Sequence, residues 1–489
     1  MMKFSFQHRA FYCYLGMSIW IFFLITVVYK YMAVKEATVA LKVTQNNNVL
    51  KSDMKYRRLY LRASMVDDET WLLQGVIVIT RHGDRGPLTH LRGGDKLPCD
   101  TVPVSPLLKS YEEFVLNASA NGRAWWVAGP GPFHNFPSLP RAAATRCALG
   151  QLTARGVLQM LTVGECRQTR SYMKTTKSTR IMNNHRGVSY STRYRRTFQS
   201  LQALSWGAAR AAAAAREAHS TAYCFRHCAC PAHHALDREK LLYYQQRYID
   251  NADTYDDVVI VKKNLDADFN FPNDARDTDF DEDYKEPTPE VAEDFCIKKD
   301  HIMSVFAYLE WSYKQEVKNT HNRRRGLLIA YGLIHNIVQN MIRMISENKP
   351  KFVVYSGHDK TLQALILALG LNSYQHYNIQ YAARIIFEVY RKKELRDEFK
   401  FTKRKAVAQD FFFRVVYNGE DVTNKLSFCR NKQIETMEMP VLDGSKVYKT
   451  YLCPIENIVR FIHDDYFAGF NVSNYKDACA TYNVGKHIV

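Results

Sequence analysis

The sequence predicts an α/β protein, a sheet with buried central strands and covering helices. Three observations predict it. The runs Gly75-Val76-Ile77-Val78-Ile79-Thr80 and Phe352-Val353-Val354-Tyr355 are too continuously apolar for half-exposed strands and read as central ones. Residues 327–345 and 361–371 carry apolar side chains at helical spacing. Each of the two buried runs leads straight into a short loop rich in Arg, His and Asp, and open α/β sheets place ligands at the carboxyl ends of their strands.

Taken in chain order, residues 10–29 are 20 consecutive residues without a formal charge, bounded by Lys3, His8 and Arg9 before and by Lys30 and Lys35 after. As a helix they span roughly 30 Å, the thickness of a bilayer core, so a transmembrane signal anchor over 10–29 behind a cytosolic tail over 1–9 is expected. A cleaved signal peptide is the competing reading. Its apolar region is usually shorter and ends at a small-x-small pair, whereas this one runs into Val28-Tyr29-Lys30-Tyr31. Residues 30–65 are polar and without apolar period, as a stem would be, and 66–489 form the lumenal body. Within the body, the run 383–390 is a third strand, paired in hairpin fashion with Phe411 to Tyr417, which ends at an Asn418-Gly419 turn. Residues 208–218 are alanine-rich and expected to be helical. Residues 250–294, acidic and broken by Pro272, Pro287 and Pro289, are expected to be a mobile surface insert.

Composition narrows the setting. Lys and Arg number 67 against 49 Asp and Glu, a net charge of +18. The 250–294 insert holds 16 acidic and 4 basic residues, a local −12, which leaves +30 on the rest. Of 11 cysteines, Cys13 lies in the apolar segment, and the other ten are the even number that a disulfide framework requires. Sequons at Asn117 and Asn471 also follow the anchor. Together these favour an oxidising lumen, and a lumenal body meets no nucleic acid, so the basic runs 323–325 and 403–405 read as solvated faces or as contacts for anionic polysaccharide. Cys224, Cys228 and Cys230 lie near His227, His233 and His234, but their spacing offers no Cys-x-x-Cys pair, and disulfides are preferred there over zinc. His335 reads as a core or boundary histidine.

The chemistry concentrates at two loops. Arg81-His82-Gly83-Asp84-Arg85-Gly86-Pro87 brings two permanently charged guanidinium forks around an imidazole, which suits a phosphate. Ser356-Gly357-His358-Asp359 opens a helix and adds a donor, a proton carrier and anion-favouring amides. Arg81-His82-Gly83-x-Arg85-x-Pro87 resembles the signature of the histidine phosphatase superfamily in its acid phosphatase branch, and Gly357-His358-Asp359 resembles that branch's later motif. Gly150-Gln151-Leu152-Thr153-Ala154-Arg155-Gly156 and Ser191-Thr192-Arg193-Tyr194-Arg195-Arg196-Thr197 match two further segments in the right order.

The resemblance implies a phosphoglycerate-mutase-like sheet flanked by helices, with a smaller, mostly helical cap. It also implies phosphomonoester hydrolysis through a phosphohistidine, without metal or cofactor, since arginines supply the positive charge. By the same resemblance His82 is the nucleophile, Asp359 the proton donor, and Arg81, Arg85, Arg196 and His358 bind the phosphate. Asp84 occupies a variable position of the motif and has no assigned role.

Residues from about 70 to Cys479, with Val416-Tyr417-Asn418-Gly419-Glu420-Asp421 and Cys453-Pro454-Ile455-Glu456-Asn457, are similar to a Golgi, type II membrane group of the family. That group removes phosphate from the 2-position of xylose in the linkage between glycosaminoglycan and protein. Its expected partners are the phosphorylated linkage glycopeptide, the membrane and the glycosyltransferases of linkage synthesis. A broader acid or inositol-polyphosphate phosphatase shares the same chemistry, and a non-catalytic glycosaminoglycan-binding protein is the alternative from another class.

Overall fold

The computed structural model describes residues 70–88, 105–121, 149–165, 187–210, 215–217, 230–236, 316–393, 408–430, 434–440 and 447–480, with a few short stretches between them. The tail, anchor and stem of the sequence reading lie outside these residues, as does the acidic insert. Among the described residues no helix is long and apolar enough to cross a membrane.

Nine strands form one sheet in the order β3-β2-β4-β1-β5-β6-β9-β8, with β7 added to β6. β1 (Trp71–Arg81), β2 (Gly187–Ser191), β3 (Ala215–Glu217) and β4 (Phe352–Gly357) run parallel. On the other side of β1, β5 (Arg384–Lys392), β6 (Phe411–Tyr417), β7 (Glu420–Asp421), β8 (Glu435–Pro440) and β9 (Val447–Pro454) pair antiparallel.

The apolar runs are continuous because both sheet faces are covered. Val76 and Val78 of β1, with Phe352 and Val354 of β4, face α1 (Pro106–Ala120), α2 (Ala154–Glu165) and α3 (Arg195–Ala209) through Leu108, Val157, Leu161 and Leu204. The alternate residues Ile77, Ile79, Val353 and Tyr355 face α4 (Thr320–Ser346) and α5 (Asp359–Ala368) through Leu328, Ile334, Leu362 and Leu365. The chain leaves β1 toward β2 on one side and leaves β4 toward β5 on the other, so a crevice opens between the carboxyl ends of β1 and β4. This is where an α/β sheet binds ligands.

Two expectations change. The 208–218 segment is not one helix. α3 stops at Ala209, where Arg210 takes a left-handed conformation (φ 54°), and residues 215–217 become β3, hydrogen-bonded to β2 at the sheet edge. High helix propensity yields there to the unpaired edge of β2. α4 starts seven residues before the apolar period, because the Asn319 side chain accepts from the amides of His321 and Asn322. The Asn418-Gly419 turn is present, with φ of 46° and 94°, and joins β6 to β7.

Two disulfides lie among the described residues. Cys429–Cys453 ties the segment after β7 to the end of β9, and Cys230–Cys479 ties residue 230 to α7 (Tyr475–Ala480), with α6 (Ile455–Arg460) between them in the chain. Cys230 is therefore no thiolate for a zinc ion. His335 sits half-buried against the Tyr331 ring, 5.6 Å away, as a boundary histidine.

The antiparallel wing carries an ion pair inside the sheet face. Glu388 of β5 and Arg414 of β6 stand opposite each other, 2% exposed each, with Oε2 2.9 Å from Nε. Tyr390 donates to the carboxylate at 2.8 Å, and Arg414 donates to Thr450 at 3.1 Å. A one-residue slip of β5 against β6 would bury each charge without the other, so the pair specifies register. Replacing Arg414 alone with Met strands a buried carboxylate and should cost about 3–5 kcal/mol in urea unfolding, whereas Glu388→Leu with Arg414→Met should cost clearly less.

Candidate active site

The register of the parallel strands brings the two loops together. Arg81 pairs with Gly357, and Ser191 with Ser356, so the residues that follow β1, β2 and β4 emerge side by side at one sheet edge. Arg81, His82, Arg85, Arg196, His358 and Asp359 all meet there, and each of the two histidines lies in the field of Arg81 and Arg196.

The loop after β1 is seated on α2 by backbone contact. A Cβ on Gly83 would lie 2.3 Å from the Gly156 oxygen, and one on Gly156 would lie 2.0 Å from the Asp84 oxygen. No side chain fits at either position, which is why both segments carry glycine where they touch. Asp84 then locks the contact. Its carboxylate accepts from the Thr153 hydroxyl at 2.8 Å, its carbonyl accepts from the Thr153 amide at 3.0 Å, and its amide donates to Gln159 at 2.9 Å. The residue left without a role is therefore a positioning one. From α3, Ser200 accepts from the Gly83 amide at 3.1 Å and Gln199 accepts from the Leu152 amide at 2.9 Å.

His82 is 3% exposed, and its Nδ1 lies 2.7 Å from the Gly83 carbonyl. A carbonyl oxygen only accepts, so Nδ1 carries the hydrogen and Nε2 keeps its lone pair. Burial, aided by the neighbouring His358, Arg196 and Arg81, pushes the His82 pKa down to about 2, against the opposing pull of the Gly83 bond. His358 is pushed down to about 3, by burial first and then by Arg196, with Asp359 opposing. Its Nε2 lies 3.0 Å from the Thr192 hydroxyl, which is itself 3.0 Å from the Thr197 hydroxyl. Thr197 donates to backbone carbonyls, so Thr192 donates to Thr197 and accepts from His358, which places the hydrogen on Nε2. Both imidazoles are neutral, one with a free lone pair and one as a donor.

Arg81 lies 3.5 Å from the Asp359 carboxylate, donates to the Ile379 carbonyl and lies 4.2 Å from the centroid of the Tyr381 ring. Arg196 stacks over Tyr194 at 4.4 Å. Burial lowers the pKa of both guanidinium groups, yet the Nε of each is buried with no hydrogen-bond partner among the described residues. Buried donors left unsatisfied are costly, and an anion with several oxygens relieves that cost. Among the described residues no cluster of His, Cys, Asp or Glu is arranged to hold a metal ion.

Sequence reading did not single out Tyr381, Ile379 or Thr192 as site residues. Ala383 accepts from the Arg81 amide at 2.9 Å and Ala382 donates to the His82 carbonyl at 3.1 Å, so the segment entering β5 forms a wall of the crevice. Its one local signal is Tyr381 in a polar stretch directly before an apolar strand. Asn117 and Asn471 are both exposed, on α1 and after residues 468–470.

The family model for the histidine phosphatase superfamily, branch 2, matches residues 72–418. The chain belongs to this family. It is a phosphoric monoester hydrolase. Curated relatives include 2-phosphoxylose phosphatase 1 of Xenopus tropicalis, 27% identical over 426 residues, covering 83% of this chain and 77% of the relative. The Homo sapiens 2-phosphoxylose phosphatase 1 is 27% identical over 435 residues, covering 83% and 81%. Among solved structures, a multiple inositol polyphosphate phosphatase of Bifidobacterium longum in complex with phosphate aligns with 83% of this chain and 95% of its own, at 13% identity and a TM-score of 0.43.

Two predictions come from this geometry. Gly156→Ala forces the helix and the loop after β1 apart, and displacing reacting groups by about 1 Å costs on the order of a hundredfold in rate, so kcat/KM should fall by about that much. Activity within twofold of wild type would contradict the seating argument. Because both histidines have folded pKa values below 6.5, their contribution to stability is present above pH 6.5 and is lost as pH falls toward about 3 and 2. His82→Gln should therefore flatten the fall of unfolding free energy between pH 6 and pH 4 by about 1.4 kcal/mol per pH unit, roughly one proton's worth.

Proposed function

We propose that this phosphatase removes the 2-phosphate from xylose in the glycosaminoglycan–protein linkage region. The chemistry rests on one observation, a buried neutral His82 whose Nε2 lone pair faces a site built from three guanidinium groups. The choice of substrate rests on relatives named 2-phosphoxylose phosphatase 1 that align along 83% of the chain.

In the first step Nε2 of His82 attacks phosphorus. The N–P bond forms as the bond from phosphorus to the sugar oxygen breaks, and protonated Asp359 gives its proton to that oxygen, because a sugar alkoxide is too basic to leave alone. Positive charge that develops on the ring is spread toward Nδ1–H and its bond to the Gly83 carbonyl. In the second step water attacks the phosphohistidine, Asp359 takes a proton from that water, and the N–P bond breaks to release phosphate and neutral His82. Arg81, Arg85 and Arg196 bind the equatorial oxygens, where charge is spread in the transition state, and neutral His358 donates to the phosphate by turning its one N–H, on Nε2, away from the Thr192 hydroxyl. The apolar segment 10–29, the cysteines and the sequons support a secretory lumen, and the resemblance to a Golgi group of the family supports the Golgi, in one compartment with the linkage glycosyltransferases.

Release of phosphate from a 2-phosphoxylosyl glycopeptide by the full-length enzyme tests the substrate, and no release sinks it. Equal or better turnover of inositol hexakisphosphate would favour the broader reading. His82→Ala should abolish turnover, and Asp359→Asn should slow release of sugar alcohols by about a hundredfold or more while sparing nitrophenolate, which leaves without a proton. Equal losses on the two leaving groups would refute the acid role.

A further inference from the structure

The segment between α5 and β5 is held more firmly than a surface loop requires. Gln363 of α5, itself buried, donates to the carbonyls of His376 and Tyr377 at 3.0 and 2.7 Å. Glu310 accepts from the Tyr377 amide at 2.9 Å through one oxygen and lies 2.9 Å from Nδ1 of His376 through the other. Tyr313 donates to Gln375 at 2.7 Å. Residues 378 and 379 then reach Arg81 through the Asn378 side chain at 3.5 Å and the Ile379 carbonyl. Yet the Tyr377 side chain on this braced loop is 36% exposed, and it lies 5.9 Å from the Lys360 ammonium, the residue after Asp359. Exposed aromatic rings on rigid backbone cost little to order when a ligand arrives.

In-line displacement decides which part of a substrate reaches this ring. The leaving oxygen stands opposite His82 and beside the acid, so whatever carries that oxygen continues from Asp359 toward its neighbours. Lys360 and Tyr377 are those neighbours on α5 and the braced loop.

We propose that Tyr377 and Lys360 form the subsite for the leaving group, with the Tyr377 ring stacking on the sugar or polyol ring that bears the phosphate and the Lys360 ammonium meeting polar or anionic substituents of that ring. The proposal rests on Asp359 as the proton donor but not on xylose as the sugar. Glu310 and Gln363 act as positioning residues for Tyr377.

The full-length enzyme and its Tyr377→Ala, Tyr377→Phe and Lys360→Met forms are compared on a 2-phosphoxyloside, on inositol hexakisphosphate and on acetyl phosphate, which has no ring and needs no acid. Wild-type turnover of the first two decides the substrate. For whichever ring phosphate is turned over, Tyr377→Ala should lower the ratio of its kcat/KM to that of acetyl phosphate by about tenfold, chiefly through KM, as loss of one good aromatic contact does. Tyr377→Phe should restore the ratio to within about twofold, and Lys360→Met should lower it less than Tyr377→Ala. An unchanged ratio for Tyr377→Ala, whether both substrates hold or both fall together, overturns the subsite and leaves the ring a structural part of the loop. Hydrolysis of acetyl phosphate alone by the wild type would overturn it as well.

Discussion

The site depends on a contact between two glycines. Gly83 and Gly156 let the loop after β1 lie on the start of α2 at backbone distance, where any Cβ would stand 2.3 Å or less from a carbonyl oxygen. Everything that aims His82 follows from it. With the loop flat on the helix, Asp84 reaches Thr153 and Gln159, and the Gly83 amide reaches Ser200. The Gly83 carbonyl is then turned to the ring of His82 and sets its tautomer. The helix in turn is placed by a similar approach to α3, in which a Cβ on Gly164 would meet the Leu204 oxygen at 2.2 Å and one on Gly207 the Leu161 oxygen at 2.4 Å. α3 also carries Arg196 at its first turn, so one stack of close-packed backbones positions Arg196 and His82 together.

The same burial and positive field that suit an anion also keep His82 unprotonated, as the proposed attack requires. Burial is the larger influence on His82, and His358, Arg196 and Arg81 add to it, so its pKa is held well below the ordinary imidazole range. Protonated imidazole has no lone pair to attack with, and a site that collects guanidinium groups without burying its histidine would lose less from protonating it. Three guanidinium groups with Asp359 as their near carboxylate repel one another until an anion enters. The transition state, with charge spread over three equatorial oxygens, relieves that repulsion best.

What could be read from the sequence was whatever is local. The buried runs at 75–80 and 352–355 announced central strands, and the spacing of Arg81, His82 and Arg85 announced an anion site, because each is written within a few residues. The rest depends on contacts between distant segments. Asp84 acquires its role only when α2 lies beside it, 69 residues away in sequence. Tyr381 and Ile379 meet Arg81 across about 300 residues. β3 breaks the alanine-rich segment because β2 offers it an unpaired edge, a fact of sheet topology and not of local propensity.

Charge divides along the same line between local and global. The +30 outside the acidic insert exceeds what Arg81, Arg85 and Arg196 account for, and among the described residues Arg193 and Arg195 are exposed. Arg195 opens α3 and Arg193 lies just before it, where basic residues oppose the helix dipole and weaken the helix slightly. A charge placed against its local preference, beside a crevice lined by more of the same sign, strengthens the field that an approaching anion meets. Beyond about 8 Å in physiological salt that field is screened, so it acts on capture at the mouth of the crevice. The buried arginines act under weaker screening, on an anion held inside the crevice. The surface charge thus bears on the rate of encounter and the buried charge on the chemical step, which is why neither can be inferred from the net charge of the chain.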